Sequence, residues 1–285
     1  MNAIIQARAL SKNYGKVRAL DNLSFTVAPG RIVGLIGRNG AGKTTTLKAI
    51  LGLTHYQGEL NVLGMNPATR RDELMQQVCF IADTAVLPRW MRVTQALDLV
   101  SAVHPRFDRK HAEEFLNRSN VRRRSRIGEL SKGMVTQLHL ALILAIDARL
   151  LVLDEPTLGL DLIYRRQFYD TLLNDYLDKD RTILLTTHQI EEIENLVTDV
   201  LFIEQGRLIL DSTVEDLAAR FRQLIVAPDR LAAARALGPM DEREVMGRYC
   251  LMFEDQSEAA LASLGEVRTP SISDLFVARM QGARP

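Results

Sequence analysis

The segment spanning residues 37–44 constrains this chain more than any other part of the sequence. It matches the phosphate-binding pattern G-x-x-x-x-G-K-[ST] at every fixed position. An apolar run at residues 32–36 precedes the segment and a helix-forming stretch follows it, which is the strand–loop–helix context that the pattern requires. Glycines let backbone N–H groups approach phosphate oxygens closely, and the following helix directs its positive end at the anion. The sequence therefore predicts a nucleoside triphosphate site.

Individual roles follow from the pattern. Lys43 is predicted to reach the β- and γ-phosphates, and Thr44 is predicted to offer its hydroxyl to Mg²⁺. The predicted phosphate loop consists of Gly37, Arg38, Asn39, Gly40, Ala41, Gly42, Lys43, Thr44 and Thr45.

The spacing of apolar residues predicts an α/β fold. Apolar runs at residues 150–153, 183–185 and 200–203 are separated by helical patterns, which indicates a parallel sheet flanked by helices. Residues 23–27 alternate between apolar and polar, which indicates an antiparallel β layer before the phosphate loop. Helical patterns at residues 94–103, 111–117 and 134–146 predict an inserted helical lobe over about residues 87–148. The predicted architecture is thus a P-loop NTPase core with these two additions.

The chain after about residue 220 is predicted to form a small accessory region of α/β type. Residues 216–222 are predicted to continue a helix that ends the core. Beyond it, residues 224–226 and 249–253 resemble strands, and residues 231–237 and 258–264 resemble helices. We therefore predict an ATPase domain over residues 1–220 and an accessory region over residues 221–285.

Two carboxylates end the predicted strand at residues 150–153. Asp154 is predicted to hold Mg²⁺, and Glu155 to polarise the attacking water. His188 follows another predicted strand and is a candidate to contact the γ-phosphate. Each of these residues alone is a weak signal, because adjacent carboxylates commonly form a solvated turn and a single histidine is usually structural. Together with the phosphate loop they predict a hydrolytic site.

Composition narrows the class of protein. The formal net charge is +1 over 285 residues, which gives no general bias toward nucleic acid or anionic membranes. The two cysteines, Cys79 and Cys250, are far apart and lack metal-ligand spacing, so a reducing cytoplasm fits best. The longest apolar stretch, residues 140–146, is far short of a membrane span, and the N-terminus lacks a signal pattern. Any connection to a membrane is expected to run through a partner.

The ordered set of motifs over about residues 3–220 resembles the nucleotide-binding subunit of ATP-binding-cassette (ABC) transporters. Residues 130–134 resemble the family's LSGGQ signature, and residues 160–161 its loop at the dimer interface. The resemblance implies ATP and Mg²⁺ as ligands, Tyr14 as the aromatic that stacks on adenine, and Glu155 and His188 as catalytic base and switch histidine. It also implies a head-to-tail pair of cassettes in which Ser131 and Gly133 act on the partner's ATP.

The same resemblance implies an integral membrane permease as partner and a cytoplasmic position at the inner face of the membrane. Whether the second cassette is another copy or a paralogue is left open. Residues 270–276 resemble the closing segment of ATPases from the ABC-2-type exporter group, so export is favoured over import.

Three positions depart from the family pattern. Lys132 replaces one glycine of the signature and Met134 its glutamine, so the backbone freedom of that glycine is lost while a positive charge is gained. Asp83 matches the position where the family places a glutamine, and its carboxylate is expected to approach Mg²⁺ or its water. Gln76 and Gln77 are alternatives by composition only, since they precede the strand. An aspartate is shorter and charged, so coupling between the nucleotide and the helical lobe is expected to change.

Two further features have more than one interpretation. The arginine-rich run at residues 122–126 is interpreted as a solvated basic face and not as a nucleic-acid patch, since no aromatic residues interleave it. Trp90 either lines a groove for a helix of the membrane subunit or anchors the lobe's own core.

Two other functions compete with transport. A soluble ABC-type ATPase acting on nucleic acid or ribosomes would need tandem cassettes or a long coiled-coil insertion, and neither pattern occurs here. No nucleic-acid partner is therefore expected. A nucleotide-sensing regulator with little turnover is favoured slightly by Asp83 and Lys132, whereas Glu155 and His188 argue against it.

Overall fold

A small antiparallel sheet forms the first layer of the molecule. In the computed structural model, which describes residues 3–81, 87–176 and 181–282, strands and helices are numbered here in chain order. The sheet contains β1 (Ile5–Tyr14), β2 (Val17–Val27) and β4 (Gln57–Val62) in the order β2-β1-β4. One face of each strand is apolar and buried, and the other is polar and exposed, as the alternating sequence predicts.

The second layer is a six-stranded sheet that carries the phosphate loop. Its members are β3 (Ile32–Ile36), β5 (Val78–Ile81), β6 (Leu150–Asp154), β7 (Thr182–Thr187), β8 (Asp199–Glu204) and β9 (Arg207–Thr213). Their order is β5-β6-β7-β3-β8-β9, and the first five strands are parallel while β9 is antiparallel. Strands β3, β6 and β7 are buried along their whole length, which explains their continuous apolar sequence.

Two apolar clusters cover the two faces of this sheet. On one face, α1 (Lys43–Ile50) and the antiparallel layer pack with Leu10, Leu23 and Leu47 against Leu35 and Val152. A short helix, α2 (Arg71–Met75), precedes β5. The other face is covered by helices described next, so the strand ends that carry the site are held on both sides.

The helical lobe has its own core. It comprises α3 (Val93–Val103), α4 (Arg109–Asn117), a 3₁₀ turn at Ile127–Glu129 and α5 (Lys132–Leu144). Val93, Leu116 and Leu138 are among the residues buried between these helices. Helix α5 also packs Leu140 and Ile143 against α6 (Leu162–Tyr176) and the sheet, so it joins the lobe to the central sheet. It begins two residues before the predicted start at residue 134, because Ser131 caps it.

The C-terminal residues form a second antiparallel sheet with helices. Its elements are α7 (Val214–Arg220), β10 (Phe221–Val226), α8 (Leu231–Arg235), β11 (Asp241–Val245), β12 (Arg248–Glu254), α9 (Glu258–Ala262), β13 (Glu266–Arg268) and α10 (Ile272–Gly282), with a 3₁₀ turn at Pro228–Arg230. The strand order is β11-β12-β10-β13. The predicted helix at residues 216–222 is wrong at its end, because Phe221 is fully buried and begins β10. Helix α10 returns to the main core, where the rings of Phe276 and Phe202 meet edge to face at 5.2 Å.

Candidate nucleotide site

The carboxyl ends of three neighbouring strands bring the predicted catalytic residues together. Strand β7 lies between β6 and β3, and Ile36 of β3 is level with Thr187 of β7, while Asp154 of β6 is level with Thr186. Segments that follow adjacent parallel strands meet at one edge of the sheet. They enclose a cleft of about 510 Å³ lined by Val17, Arg18, Ala19, Arg38, Asn39, Gly40, Gly42, Lys43, Thr44, Thr45, Glu155, Leu158 and His188.

The phosphate loop is curved tightly by its glycines. Gly42 has φ +115°, and a Cβ atom there would lie 2.7 Å from the Ala19 carbonyl oxygen, so no other residue type fits without a shift. The loop backbone wraps Lys43, whose Nζ donates to the carbonyl oxygens of Gly37 at 2.8 Å and Arg38 at 3.4 Å. Lys43 is only 6% exposed. The ammonium group is therefore fixed inside the loop, at the mouth of α1.

Two hydroxyl groups converge on the carboxylate of Asp154, which is buried. The Thr186 hydroxyl donates to Asp154 Oδ1 at 2.6 Å, and the Thr44 hydroxyl approaches the same oxygen at 3.4 Å. Mg²⁺ in phosphate-binding sites takes one or two carboxylates together with substrate oxygens and water. The described residues contain no cluster of three or more His, Cys, Asp or Glu suited to a metal, and such a cluster is not needed here. The oxygen donors present thus fit Mg²⁺ accompanied by a triphosphate.

Glu155 lies between two nitrogen groups. Its Oε2 is 2.8 Å from His188 Nδ1, and its Oε1 is 3.5 Å from Lys43 Nζ. The backbone of Glu155 is left-handed, with φ +49°, and its N–H donates to the Thr186 carbonyl and hydroxyl oxygens. Such a conformation in a non-glycine residue costs about 1–3 kcal/mol and commonly marks functional sites. Strand β7 therefore holds Glu155 in an unfavourable backbone geometry that aims its carboxylate into the cleft.

Tyr14 lies beside the cleft, because it pairs in the β1–β2 hairpin with Val17, a residue of the cleft wall. It ends β1, its hydroxyl is 3.4 Å from the Thr54 hydroxyl, and the Lys12 ammonium lies 4.9 Å from its ring centre. The cleft wall at this end is formed by Val17, Arg18 and Ala19 at the start of β2. Gly37 and Ala41 also lie off the wall, since both pack inward behind the loop.

Neither Ser131 nor Gly133 is among the residues that line the cleft at the phosphate loop. Ser131 is the N-cap of α5 and its hydroxyl oxygen accepts from Met134 N at 3.3 Å. A Cβ atom at Gly133 would come within 2.1 Å of the Tyr164 ring, so any other residue there would require the ring to move. Lys132 lines a cleft of about 530 Å³ together with Gly159 and Leu160, and no residue of α5 lines the cleft at the phosphate loop. The described residues of one chain therefore do not bring the signature to the phosphate loop.

Known proteins resemble this chain in sequence and fold. A family model described as ABC transporter matches residues 20–158. The Nod factor export ATP-binding protein I of Burkholderia pseudomallei (strain 1710b) is 35% identical over 274 residues, which cover 92% of this chain and 90% of that protein. The ABC transporter ATP-binding protein YtrB of Bacillus subtilis (strain 168) is 27% identical over 292 residues, 99% of each chain. A solved ATP-binding subunit of an ABC transporter superposes with a TM-score of 0.67 at 26% identity, over 76% of this chain and 92% of that one.

The chain belongs to the ABC transporter ATP-binding proteins.

The family and the α/β fold predicted from the motifs are thereby confirmed, and the chain is an ATPase of this family. In the ABC subunit described here, no helix of the described ranges is both long and apolar enough to cross a bilayer. Asp83 lies outside the described residues.

Sequence reasoning missed the residues that brace the ABC site from behind. Arg165 of α6 donates through Nε to the Leu160 carbonyl at 2.7 Å and through Nη1 to Gln189 and Glu192. Glu192 also accepts from the Thr157 hydroxyl at 2.8 Å. Arg165 thus ties the segment after Glu155 to the segment after His188.

These braces could not be found by pattern. An arginine on a helix and a threonine in a strand, such as Thr186, carry no distinctive sequence signal, because both types are common there for reasons of solubility and β propensity. Tyr169 is a further member, since its hydroxyl lies 3.3 Å from that of Thr157 and burial raises the pKa of the phenol.

Proposed function

We propose that this chain is the ATP-hydrolysing subunit of an exporter, and that it works as a pair of cassettes that closes head to tail on two MgATP molecules. The distance of the signature from the phosphate-loop cleft carries this proposal. The phosphate loop, Glu155 and His188 line that cleft, whereas Leu130 and Lys132 of the signature line another, and of the residues that line the second cleft only Leu158 also lines the first. A γ-phosphate held by Lys43 can therefore meet a signature helix only if a second cassette supplies it.

Each residue has a role that its contacts support. Lys43 and the loop N–H groups bind the phosphates, and the phosphate-loop segment from Gly37 to Thr45 surrounds them. Thr44 and Asp154 would hold Mg²⁺, whose charge would offset that of the phosphates during transfer. Ser131 and Gly133 present the N-terminal end of α5 to the partner's ATP, where backbone N–H groups favour an anion. Tyr14 and the start of β2 receive the adenine.

Hydrolysis depends on the proton positions around Glu155. Its carboxylate accepts a proton from the attacking water, which makes it the general base. His188, 2.8 Å away, orients that carboxylate before nucleotide binds and then donates to the γ-phosphate. Lys43 draws the same carboxylate from the other side, so nucleotide phosphates compete with Glu155 for both partners. Binding of ATP thereby releases the base for use.

A separate integral membrane permease completes the transporter. Export is favoured because relatives of this chain are the Nod factor export protein of Burkholderia pseudomallei and the bacitracin transport ATP-binding protein BcrA of Bacillus licheniformis, which is 31% identical over 79% of this chain. The ATPase would lie in the cytoplasm against the inner face of the membrane. Its mate is a second copy or a paralogous cassette.

The proposal is tested by the solution mass of Glu155→Gln with and without MgATP. Glutamine is isosteric but cannot accept the proton, so the closed dimer should accumulate when hydrolysis is blocked. We expect a shift from monomer to dimer with MgATP and none with ATP plus EDTA. Lys43→Met serves as the matched control that lacks phosphate binding. A monomer that still binds ATP would contradict the self-complementary pair.

A further inference from the structure

The nucleotide site leaves one surface of the helical lobe unused. It is formed by residues 89–92 and 122–126, which we call the basic ribbon. Their backbones run antiparallel, because Ile127 N donates to Met91 O at 2.9 Å and Val93 N to Ser125 O at 3.1 Å. In addition, Arg92 Nη1 donates to the Arg124 carbonyl oxygen at 2.5 Å. Two segments that are distant in sequence thus form one continuous surface.

Side chains of the basic ribbon alternate between buried and exposed. Met91, Val93 and Ile127 are buried in the lobe's own core. Trp90, which precedes Met91, is 69% exposed, so it does not anchor that core. Four arginines share the exposed side of the alternation: Arg92, Arg122, Arg124 and Arg126. The outer surface therefore combines several cations with one large amphipathic ring.

The charge of this surface is not neutralised within the described chain. Arg123 is the exception, since its guanidinium pairs with Glu113 at 3.1 Å. Among the described residues, no carboxylate lies within ion-pair distance of the four exposed arginines. Glu129 accepts from the backbone N of Arg126 at 2.9 Å and not from its guanidinium. Because the whole chain carries only +1, this is a local concentration of positive charge.

We propose that the basic ribbon binds an anionic lipid surface. Arginine guanidinium groups pair with lipid phosphates in two-pronged hydrogen bonds, and basic clusters are attracted to the negatively charged leaflet. Tryptophan favours the level of the head groups, where its ring is buried and its N–H stays hydrated. The ribbon offers both groups on one surface. Lipid contact goes beyond the proposed function, because it requires neither nucleotide nor permease.

A protein partner of opposite charge is the competing occupant. Cytoplasmic loops of membrane proteins carry an excess of lysine and arginine, so a permease loop would on average repel this ribbon. A layer of lipid phosphates carries the negative charge that would pair with the arginines of the ribbon. Electrostatic complementarity therefore favours lipid.

The test uses the purified full chain and two kinds of vesicle, phosphatidylcholine alone and an equimolar mixture with phosphatidylglycerol. Trp90 is the only tryptophan, so its emission reports this surface directly. We expect sedimentation with the anionic vesicles only, a blue shift of the emission, and loss of both at high salt, where charges are screened. Binding to neither kind of vesicle would overturn the proposal.

The decisive variant is Arg122→Gln/Arg124→Gln/Arg126→Gln. It should reduce partition onto anionic vesicles by about 100-fold, since each arginine near an anionic surface contributes about fivefold. The matched control, Arg8→Gln/Arg166→Gln/Arg230→Gln, removes the same net charge from exposed arginines outside the lobe and should retain partition. Both variants should retain basal ATP hydrolysis. Equal loss in both would show a non-specific charge effect and overturn the ribbon's role.

A further outcome would assign the ribbon to a protein. If the ribbon variant sediments with vesicles as the wild type does but loses activation by reconstituted permease, the surface binds the permease and the lipid proposal is wrong. Folding of each variant is checked by its thermal midpoint.

Discussion

The phosphate-loop cleft and the N-terminal end of α5 differ in how far their side chains are buried and hydrogen-bonded within the chain. Around the phosphate loop, Lys43, Asp154 and Glu155 already hold hydrogen-bonded partners, and the first two are buried. At α5, Ser131 and Lys132 are exposed, and within the described ranges the hydrogen bonds of their side chains go to the Met134 backbone N and the Gly159 carbonyl oxygen. The groups at the phosphate loop are therefore preorganised, whereas the signature, which we propose to act on a partner's ATP, is exposed.

The largest expected effect is a loss of turnover when a residue of the phosphate-loop cleft is changed. Glu155→Gln should lower kcat by about 10²–10⁴-fold, because a positioned general base contributes that much. Binding of ATP should remain, since Lys43 and the loop are unchanged. Phosphate release and binding of a fluorescent ATP analogue measure the two quantities. If kcat fell less than tenfold, Glu155 would not be the base, and the preorganised half of the comparison would fail.

A second prediction concerns the packing under the signature. Gly133→Ala places a methyl group against the Tyr164 ring, and such overpacking costs about 1–3 kcal/mol of unfolding free energy. The double variant Gly133→Ala/Tyr164→Ala should recover part of that loss, because the ring that obstructs the methyl is gone. Urea denaturation measures both values. If the losses of unfolding free energy were additive, the cost of Gly133→Ala would not come from the Tyr164 ring, and packing against that ring would not shape the signature.

A third prediction tests the brace behind the catalytic groups. Arg165→Ala should lower the unfolding free energy by about 1.5–3 kcal/mol, the value of hydrogen bonds to charged groups. A double-mutant cycle with Glu192→Gln should give a coupling of about 0.5–3 kcal/mol.

The control for that brace lies on the same helix. Arg166 pairs with Asp170 at 3.7 Å on the exposed side of α6, and such pairs contribute about 0–1 kcal/mol. Arg166→Ala should therefore change stability little. Equal losses of unfolding free energy in Arg165→Ala and Arg166→Ala would show that the Arg165 contacts do not stabilise the catalytic region.

The smallest expected effect is a pH dependence of the helical lobe. Burial lowers the pKa of both His104 and His139 from the ordinary value of 6.5. Below pH 6.5 these histidines are protonated in the unfolded chain but remain neutral in the folded chain. The unfolding free energy should therefore decrease as the pH falls from about 7 to about 5. In His139→Leu the decrease should be smaller. An unchanged pH dependence would remove His139 as a cause.

The sequence was most informative where a motif dictates backbone geometry. The loop from Gly37 to Thr44 and the run ending in Asp154 are local patterns, and parallel strands bring their ends together whatever the rest of the chain does. Less could be predicted where tertiary contacts decide. Phe221 is apolar, which suits the end of a helix as well as the start of a strand. In the structure it begins β10 and is buried in one cluster with residues of α10, a tertiary contact that local sequence does not reveal.

The wall of the cleft was also beyond local reasoning. Val17, Arg18 and Ala19 at the start of β2 line it, and the pairing of β1 with β2 contains three register shifts. Tyr14 carried the aromatic signal, and its hydroxyl lies 3.4 Å from that of Thr54. A bulge leaves no clear mark in sequence.

Complementation between two inactive variants tests most directly whether each ATP site is built from two chains. Lys43→Met removes the phosphate loop's cation, and Ser131→Arg obstructs the N-terminal end of α5 without entering the loop's own cleft. An equimolar mixture should regain about a quarter of the wild-type rate of phosphate release, because half of random dimers are mixed and each mixed dimer has one intact site. Each variant alone should stay at background. A mixture that also stays at background, with both proteins folded, would contradict a site built from two copies of this chain.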